Sequence, residues 1–250
     1  MPNFKTLDDL PSDLTGKVAL VRVDLNLPMQ EGRASDVTRV EAVKPTILEL
    51  ADRGAKVLML AHFGRPKGQR HSTMSTSMVQ GDVERVFDRE IMFVPEVMGP
   101  VVEQSIGIFR PGDIGLLDNV RFWPGEEAND PEFARGIAGV GDFYVNDAFS
   151  ASHRAHASTE GLAHLLPAYA GRAMEAELKA LDAAGLPPSA VICSGCACAP
   201  TTAALSLRRT HFGKVTGSVQ TRSKPSSLNL AWAQATARAS ASLPGRRGPT

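Results

Sequence analysis

The stretch Val57-Leu58-Met59-Leu60-Ala61-His62-Phe63-Gly64-Arg65-Pro66-Lys67-Gly68 is an apolar run that ends abruptly in a histidine, a glycine, an arginine and a proline. Its apolar part is too short for a free-standing helix and too continuous for a strand with one wet face. A parallel strand covered on both faces is the reading that fits. His62 and Arg65 then fall just past its carboxyl end, where open α/β sheets bind their ligands.

Working outward, the same grammar repeats. Lys17 to Asn26 predicts a strand with Asp24 and Asn26 at its carboxyl end, stopped by Pro28. Ser35-Asp36 predicts the cap of a helix whose Val40, Val43, Ile47, Leu48 and Ala51 recur at helical spacing up to Gly54, with Pro45 expected to kink or divide it. Gln69 to Gly81 has almost no apolar periodicity and predicts either a mobile loop or a locally unreliable stretch of sequence, with a short helix resuming over Asp82 to Arg89. Ile91–Val94 predicts a third strand and Val101 to Phe109 a weak helix. Ile114–Phe122 predicts a fourth strand ending at Asn119 and Arg121. Asp130-Pro131-Glu132 opens a helix in the favoured order of cap, first-turn proline and acid. Asp142 to Phe149 predicts a fifth strand that runs into SASHRAHAST, and Arg172 to Ala184 a closing helix stopped by Gly185-Leu186-Pro187-Pro188.

Strands alternating with helical segments predict an α/β fold, a doubly wound parallel sheet with helices on both faces in a Rossmann-like three-layer arrangement. In such a sheet all carboxyl ends share one edge. Asp24 and Asn26, His62 and Arg65, Asn119 and Arg121, and His153 and Arg154 would therefore meet in one cleft. Arg39, Arg65, Arg121 and Arg154, with His62, His153 and His156, make that cleft a cationic basin. Guanidinium forks match phosphate and carboxylate bidentately, so a small phosphorylated acid is the ligand these residue types suggest. One loop arginine is usually a solvated charge and one histidine is usually structural. Their recurrence after separate strands is what argues for a site.

At these residues the sequence resembles a known family. VRVDLNLP, the Asp36 to Arg39 region, AHFGRPKG, DNVRFWPGEE, YVNDAFSASHRAHAST and AGRAMEAELKAL stand in the order and spacing of the amino-terminal domain of the phosphoglycerate kinases. The resemblance covers residues 1–182. It implies reversible phosphoryl transfer between 1,3-bisphosphoglycerate and ADP, giving 3-phosphoglycerate and Mg-ATP, in glycolysis or carbon fixation. It implies substrate contacts from Asp24, Leu25, Asn26, Arg39, His62, Phe63, Gly64, Arg65, Arg121 and Arg154, with His156 nearby. Arg39 is the implied catalytic residue, stabilising charge on the moving phosphoryl group. A monomer with a small-molecule substrate, and no resident metal, is expected.

Charge is distributed unevenly along the chain. The 250 residues sum to zero, yet all 27 acidic residues lie between Asp8 and Asp182. Residues 1–182 carry 19 basic residues against those 27, a net −8, and residues 183–250 carry 8 against none, a net +8. The family's GGAKVSTK-like lysine segment and later glycine-rich nucleotide loops are missing after Asp182, so no nucleotide site is recognisable. Residues 183–250, rich in Ala, Ser, Thr and Arg, predict an irregular or disordered basic tail from a frameshifted or truncated reading frame. Cys193, Cys196 and Cys198 with His211 have metal-ligand chemistry but no second paired motif, and read as a chance cluster. The tail's charge predicts nonspecific stickiness and no specific nucleic-acid partner. With no apolar signal segment at the start, and no run approaching the roughly 18 residues that span a bilayer, a cytoplasmic protein without membrane contact is expected.

Overall fold

The computed structural model describes residues 4–184. The expectations for Cys193, Cys196, Cys198, His211 and the tail beyond residue 184 lie outside them. Six parallel strands form one sheet in the order β5-β6-β4-β1-β7-β8. These are β1 (Val18–Arg22), β4 (Lys56–Leu60), β5 (Ile91–Val94), β6 (Ile114–Leu117), β7 (Phe143–Asn146) and β8 (Ala168–Ala170). A small antiparallel hairpin, β2 (Met29–Gln30) with β3 (Arg33–Ala34), interrupts the first crossover. The helices are α1 (Thr38–Asp52), α2 (Ser77–Phe87), α3 (Pro100–Ile108), α4 (Pro124–Glu127), α5 (Pro131–Ala138), α6 (Leu162–Leu165) and α7 (Arg172–Ala183).

The continuous apolar runs conceal a period of two. In β1 and β4, Ala19, Val21, Val57 and Met59 pack with Val40, Ile47 and Leu50 of α1 and Val79, Val83 and Phe87 of α2. Val18, Leu20, Leu58 and Leu60 point the other way, onto Val102 of α3, Phe133 and Ile137 of α5 and Leu162 of α6. Both faces are covered, so neither needs polar residues. The doubly wound sheet with helices on both faces is the observed architecture, and no helix among the described residues is long and apolar enough to cross a membrane.

Four local readings change. Gln69 to Gly81 is not a loop throughout: a 3-10 turn at Ser72–Met74 leads into α2, which starts at Ser77. The start of α2 is pinned from a distance. Thr76 donates through its backbone N to Asp118 Oδ1 at 3.1 Å and through its hydroxyl to the Leu117 carbonyl at 2.8 Å, and local periodicity cannot reveal such anchors. Pro45 neither ends nor divides α1, because it sits on the exposed side, where the carbonyl it leaves unbonded faces water. The fourth strand is shorter than expected, ending at Leu117. Asn119 instead caps a 3-10 turn over Val120–Phe122, its side chain accepting from Arg121 N at 3.0 Å. The first and fifth strands likewise stop at Arg22 and Asn146. Strand β8, three residues at the sheet edge, has no counterpart among the expected elements.

Helix α7 is fastened to the sheet by a buried carboxylate. Asp147, one residue past β7, accepts from Met174 N at 2.9 Å through Oδ1, while its Oδ2 has no partner. Gly171 lets the chain pass over it, since a Cβ there would lie 2.4 Å from Asp147 Cγ. Burial raises the Asp147 pKa from 3.8 to about 6, with the hydrogen bonds opposing it. The protonated acid is thus favoured by folding, and this contribution is lost as pH rises from 3.8 through about 6. Asp147→Asn keeps an acceptor for Met174 and removes the charge. It is expected to raise stability at pH 8 by about 1–3 kcal/mol and to change little at pH 4. Denaturant melts at both values check this; an equal effect at each would show that ionisation is not the cause.

Candidate functional site

Parallel register brings the site together. Arg22 lies beside Leu60 in one direction and Asn146 in the other, so β1, β4 and β7 end level with one another. The loops leaving them are then tied by side chains. Asn26 Oδ1 accepts from Gly64 N at 3.0 Å, joining the exits of β1 and β4. Asn119 Nδ2 donates to the carbonyls of Phe63 at 2.6 Å and Met74 at 2.8 Å, joining those of β4 and β6. Arg121 Nη1 donates to the Gly64 carbonyl at 3.2 Å. Gly64 and Gly68 have φ of 64° and 75°, which lets the segment between them fold back into the cleft.

Two groups of polar side chains result. In the first, Arg39 Nη1 lies 3.0 Å from Asp24 Oδ2 and donates to the Asn26 carbonyl at 2.9 Å, and the Ser150 hydroxyl also donates to Asp24. Arg39 is half-exposed, so it is aimed by Asp24 yet open to a ligand. In the second, Arg65, Lys67, Arg121, Glu127 and Arg154 line a cavity of about 270 Å³. Arg65, Lys67 and Arg154 are exposed and pair with no acid among the described residues. Arg121 is buried. Its Nε lies 3.2 Å from Glu127 Oε1 but outside hydrogen-bond geometry, which leaves that donor unsatisfied. Burial and the neighbouring Arg22 and Arg154 lower the Arg121 pKa, against the pull of Glu127, but a guanidinium stays charged at any working pH. Four cations face one carboxylate, an arrangement suited to an anion carrying more than one charge.

His62 differs from the rest. Its Nδ1 lies 2.9 Å from Arg22 Nη2, and burial followed by the charges of Arg22 and Arg121 takes its pKa from 6.5 down to about 2. Its expected share in a cationic basin is therefore corrected: His62 is a neutral ring. Among the other expected residues, Leu25 and Phe63 are buried supports of the two exit loops, and His153 holds the Arg154 side chain, accepting from Nε at 3.0 Å. The sequence reading missed Lys67, Glu127 and Arg22. Lys67 and Glu127 stood inside quoted motifs, and Arg22 ends an otherwise apolar strand that is fully buried. A charge in that position has to be paired, which was the available signal.

The family model for phosphoglycerate kinase matches residues 7–198 of this chain. This chain belongs to the phosphoglycerate kinase family. A phosphoglycerate kinase of Sphingopyxis alaskensis is 56% identical over 218 residues, covering 86% of this chain and 54% of its own length. One of Rhizobium johnstonii is 57% identical over 182 residues, covering 73% and 45%. The crystal structure of phosphoglycerate kinase from Pyrococcus horikoshii superposes with a TM-score of 0.65 at 30% identity, covering 72% of this chain and 45% of that one. The enzyme from Coxiella burnetii does so with the same TM-score at 32% identity. The chain spans about half the length of the curated phosphoglycerate kinases it matches.

Proposed function

We propose that the cleft binds 3-phosphoglycerate or 1,3-bisphosphoglycerate, and that this chain is the acid-substrate half of a phosphoglycerate kinase. The observation that carries this reading is the convergence of Arg65, Lys67, Arg121 and Arg154 on one cavity. They would hold the phosphate at the far end of the substrate. Asp24 and Asn26 would accept from its hydroxyl, with Leu25, Phe63 and Gly64 shaping the loops that present them. His62 would donate to the acid without adding charge. Arg39 would stand over the phosphoryl group as it moves between the acyl oxygen and the nucleotide, where its fixed charge offsets the charge that develops. Magnesium would arrive with ATP or ADP as co-substrate, and no nucleophilic side chain is required. The reading carries with it a cytoplasmic monomer working in glycolysis or carbon fixation, with residues 1–182 as the substrate domain.

A second reading, a chain that binds the acid without turning it over, is favoured by the sequence after Asp182, which carries none of the glycine-rich nucleotide loops of the family. Titration calorimetry of the full chain with 3-phosphoglycerate, beside a coupled ATP-dependent assay, decides between them. Binding with turnover is expected if the kinase is whole, and binding alone if it is not. Absence of binding at millimolar 3-phosphoglycerate would overturn both.

A further inference from the structure

Beneath the cleft runs a buried polar chain from α4 to the end of β4. Glu126 in α4 is fully buried. Its Oε2 accepts from Ser158 N at 2.8 Å and its Oε1 from the Ser158 hydroxyl at 2.6 Å. Because Ser158 spends its only proton on Glu126, the same oxygen is free to accept, and Arg22 Nε donates to it at 2.9 Å. Arg22 Nη1 donates to the Val23 carbonyl, and Nη2 meets His62 Nδ1 at 2.9 Å. A guanidinium has donors only, so His62 Nδ1 must be the acceptor and the single ring proton sits on Nε2. Nε2 has no partner among the described residues.

We propose that Glu126 and Ser158 are positioning residues, acting through Arg22 to lock His62 in the Nε2–H tautomer at the cleft. A second proton on His62 would have to enter at Nδ1, directly against the Arg22 guanidinium. The groups facing His62 reinforce this. Arg121 and Arg154 bring positive charge from the loops after β6 and β7, and His156 adds to it when protonated. Glu126, the carboxylate of this hydrogen-bonded series, is separated from His62 by Ser158 and Arg22, with His156 Nδ1 3.6 Å from its Oε1. His62 therefore offers a hydrogen-bond donor of fixed direction, and it can neither take a proton nor swing between tautomers. An acid substrate meets a neutral donor there, and its charge is left to the arginines.

The lock itself rests on geometry; that it serves an acid substrate rests on the function proposed above. The test is long-range proton–nitrogen correlation NMR on the full chain with labelled histidine and no ligand, with His62 assigned from His62→Gln. The wild-type ring is expected to show an unprotonated Nδ1 and a protonated Nε2, unchanged from about pH 5 to 8, where an ordinary histidine titrates. Ser158→Ala, which is small and keeps the charges, is expected to mix the tautomers. Arg22→Met is expected to raise the His62 pKa and to free Nδ1 for a proton, although the burial of the ring and the charges of Arg121 and Arg154 still hold the pKa down. Ser158→Thr, which restores the hydroxyl, should restore the wild-type pattern. Titration of wild-type His62 in that range, or a wild-type pattern surviving in both Ser158→Ala and Arg22→Met, would overturn the proposal. A parallel 3-phosphoglycerate titration separates the two ideas, because failure to bind with the ring still locked removes the proposed function and leaves the lock standing.

Discussion

Glu126→Ala is expected to cost the domain about 3–5 kcal/mol, the range found when a buried charge is left uncompensated, here that of Arg22, which reaches Glu126 through Ser158. The carboxylate is fully buried and takes both hydrogen bonds that Ser158 can donate. Burial pushes its pKa up, but the nearby His156, the Arg22 charge and the two Ser158 donors outweigh that and leave it below the ordinary 4.5. Alanine would strand Arg22, itself 1% exposed, with its charge uncompensated and Ser158 without acceptors. Against a typical total of about 5–15 kcal/mol, that loss brings the fold close to its limit. The pH dependence has a fixed sign. A carboxyl whose folded pKa is depressed stabilises above its unfolded value and loses that contribution as pH falls through the folded one. The gap between wild type and Glu126→Ala should thus be full at neutral pH and shrink below about 4.5. Urea melts of both proteins at pH 7 and pH 4 measure it. A loss under about 1 kcal/mol at neutral pH would mean that the buried chain of hydrogen bonds is not what holds this region.

Arg154→Ala is expected to weaken 3-phosphoglycerate binding about 10- to 100-fold while leaving the melting temperature unchanged, since a hydrogen bond to a charged group contributes about 1.5–3 kcal/mol. Arg154 is exposed and pairs with no acid among the described residues, so the fold does not depend on its charge. It lines the same cavity as Arg65, Lys67 and Arg121. The opposite sign is expected at Glu127, whose carboxylate stands in that cavity against Arg121. Glu127→Gln should tighten binding several-fold and steepen its salt dependence, whereas Arg154→Ala should flatten it. Calorimetry at two ionic strengths reads both effects. Unchanged affinity in Arg154→Ala would detach this arginine from the anion site.

The strands of this domain were legible because their residues are buried on both faces. Runs such as Val18–Leu20 and Val57–Leu60 have no soluble alternative to the middle of a sheet. Strand β8 was not legible: Ala168-Tyr169-Ala170 is short, and its pairing with β7 and the bridge from Thr6 to Ala170 come from residues far along the chain. The start of α2 failed for the same reason, its anchor being Asp118.

At the site, residue type and strand-end position were enough to gather Asp24, Asn26, Arg39, His62, Arg65, Arg121 and Arg154 on one edge, because a parallel sheet has only one carboxyl edge to offer. Position along the chain says nothing about protonation. His62 read as part of a cationic basin, and it is neutral because burial strips it of water and because Arg22, forty residues earlier, fills its Nδ1 side with a donor. Arg22 in turn is held by Ser158, at a separation of 136 residues, and Ser158 by Glu126. Sequence by itself determined the layered fold and the sign of the cleft, which follow from hydrophobic burial and from charges counted at strand ends. Tertiary structure alone decided which charges are spent on one another, because hydrogen-bond direction and desolvation depend on distances of a few ångströms between segments the chain order keeps apart.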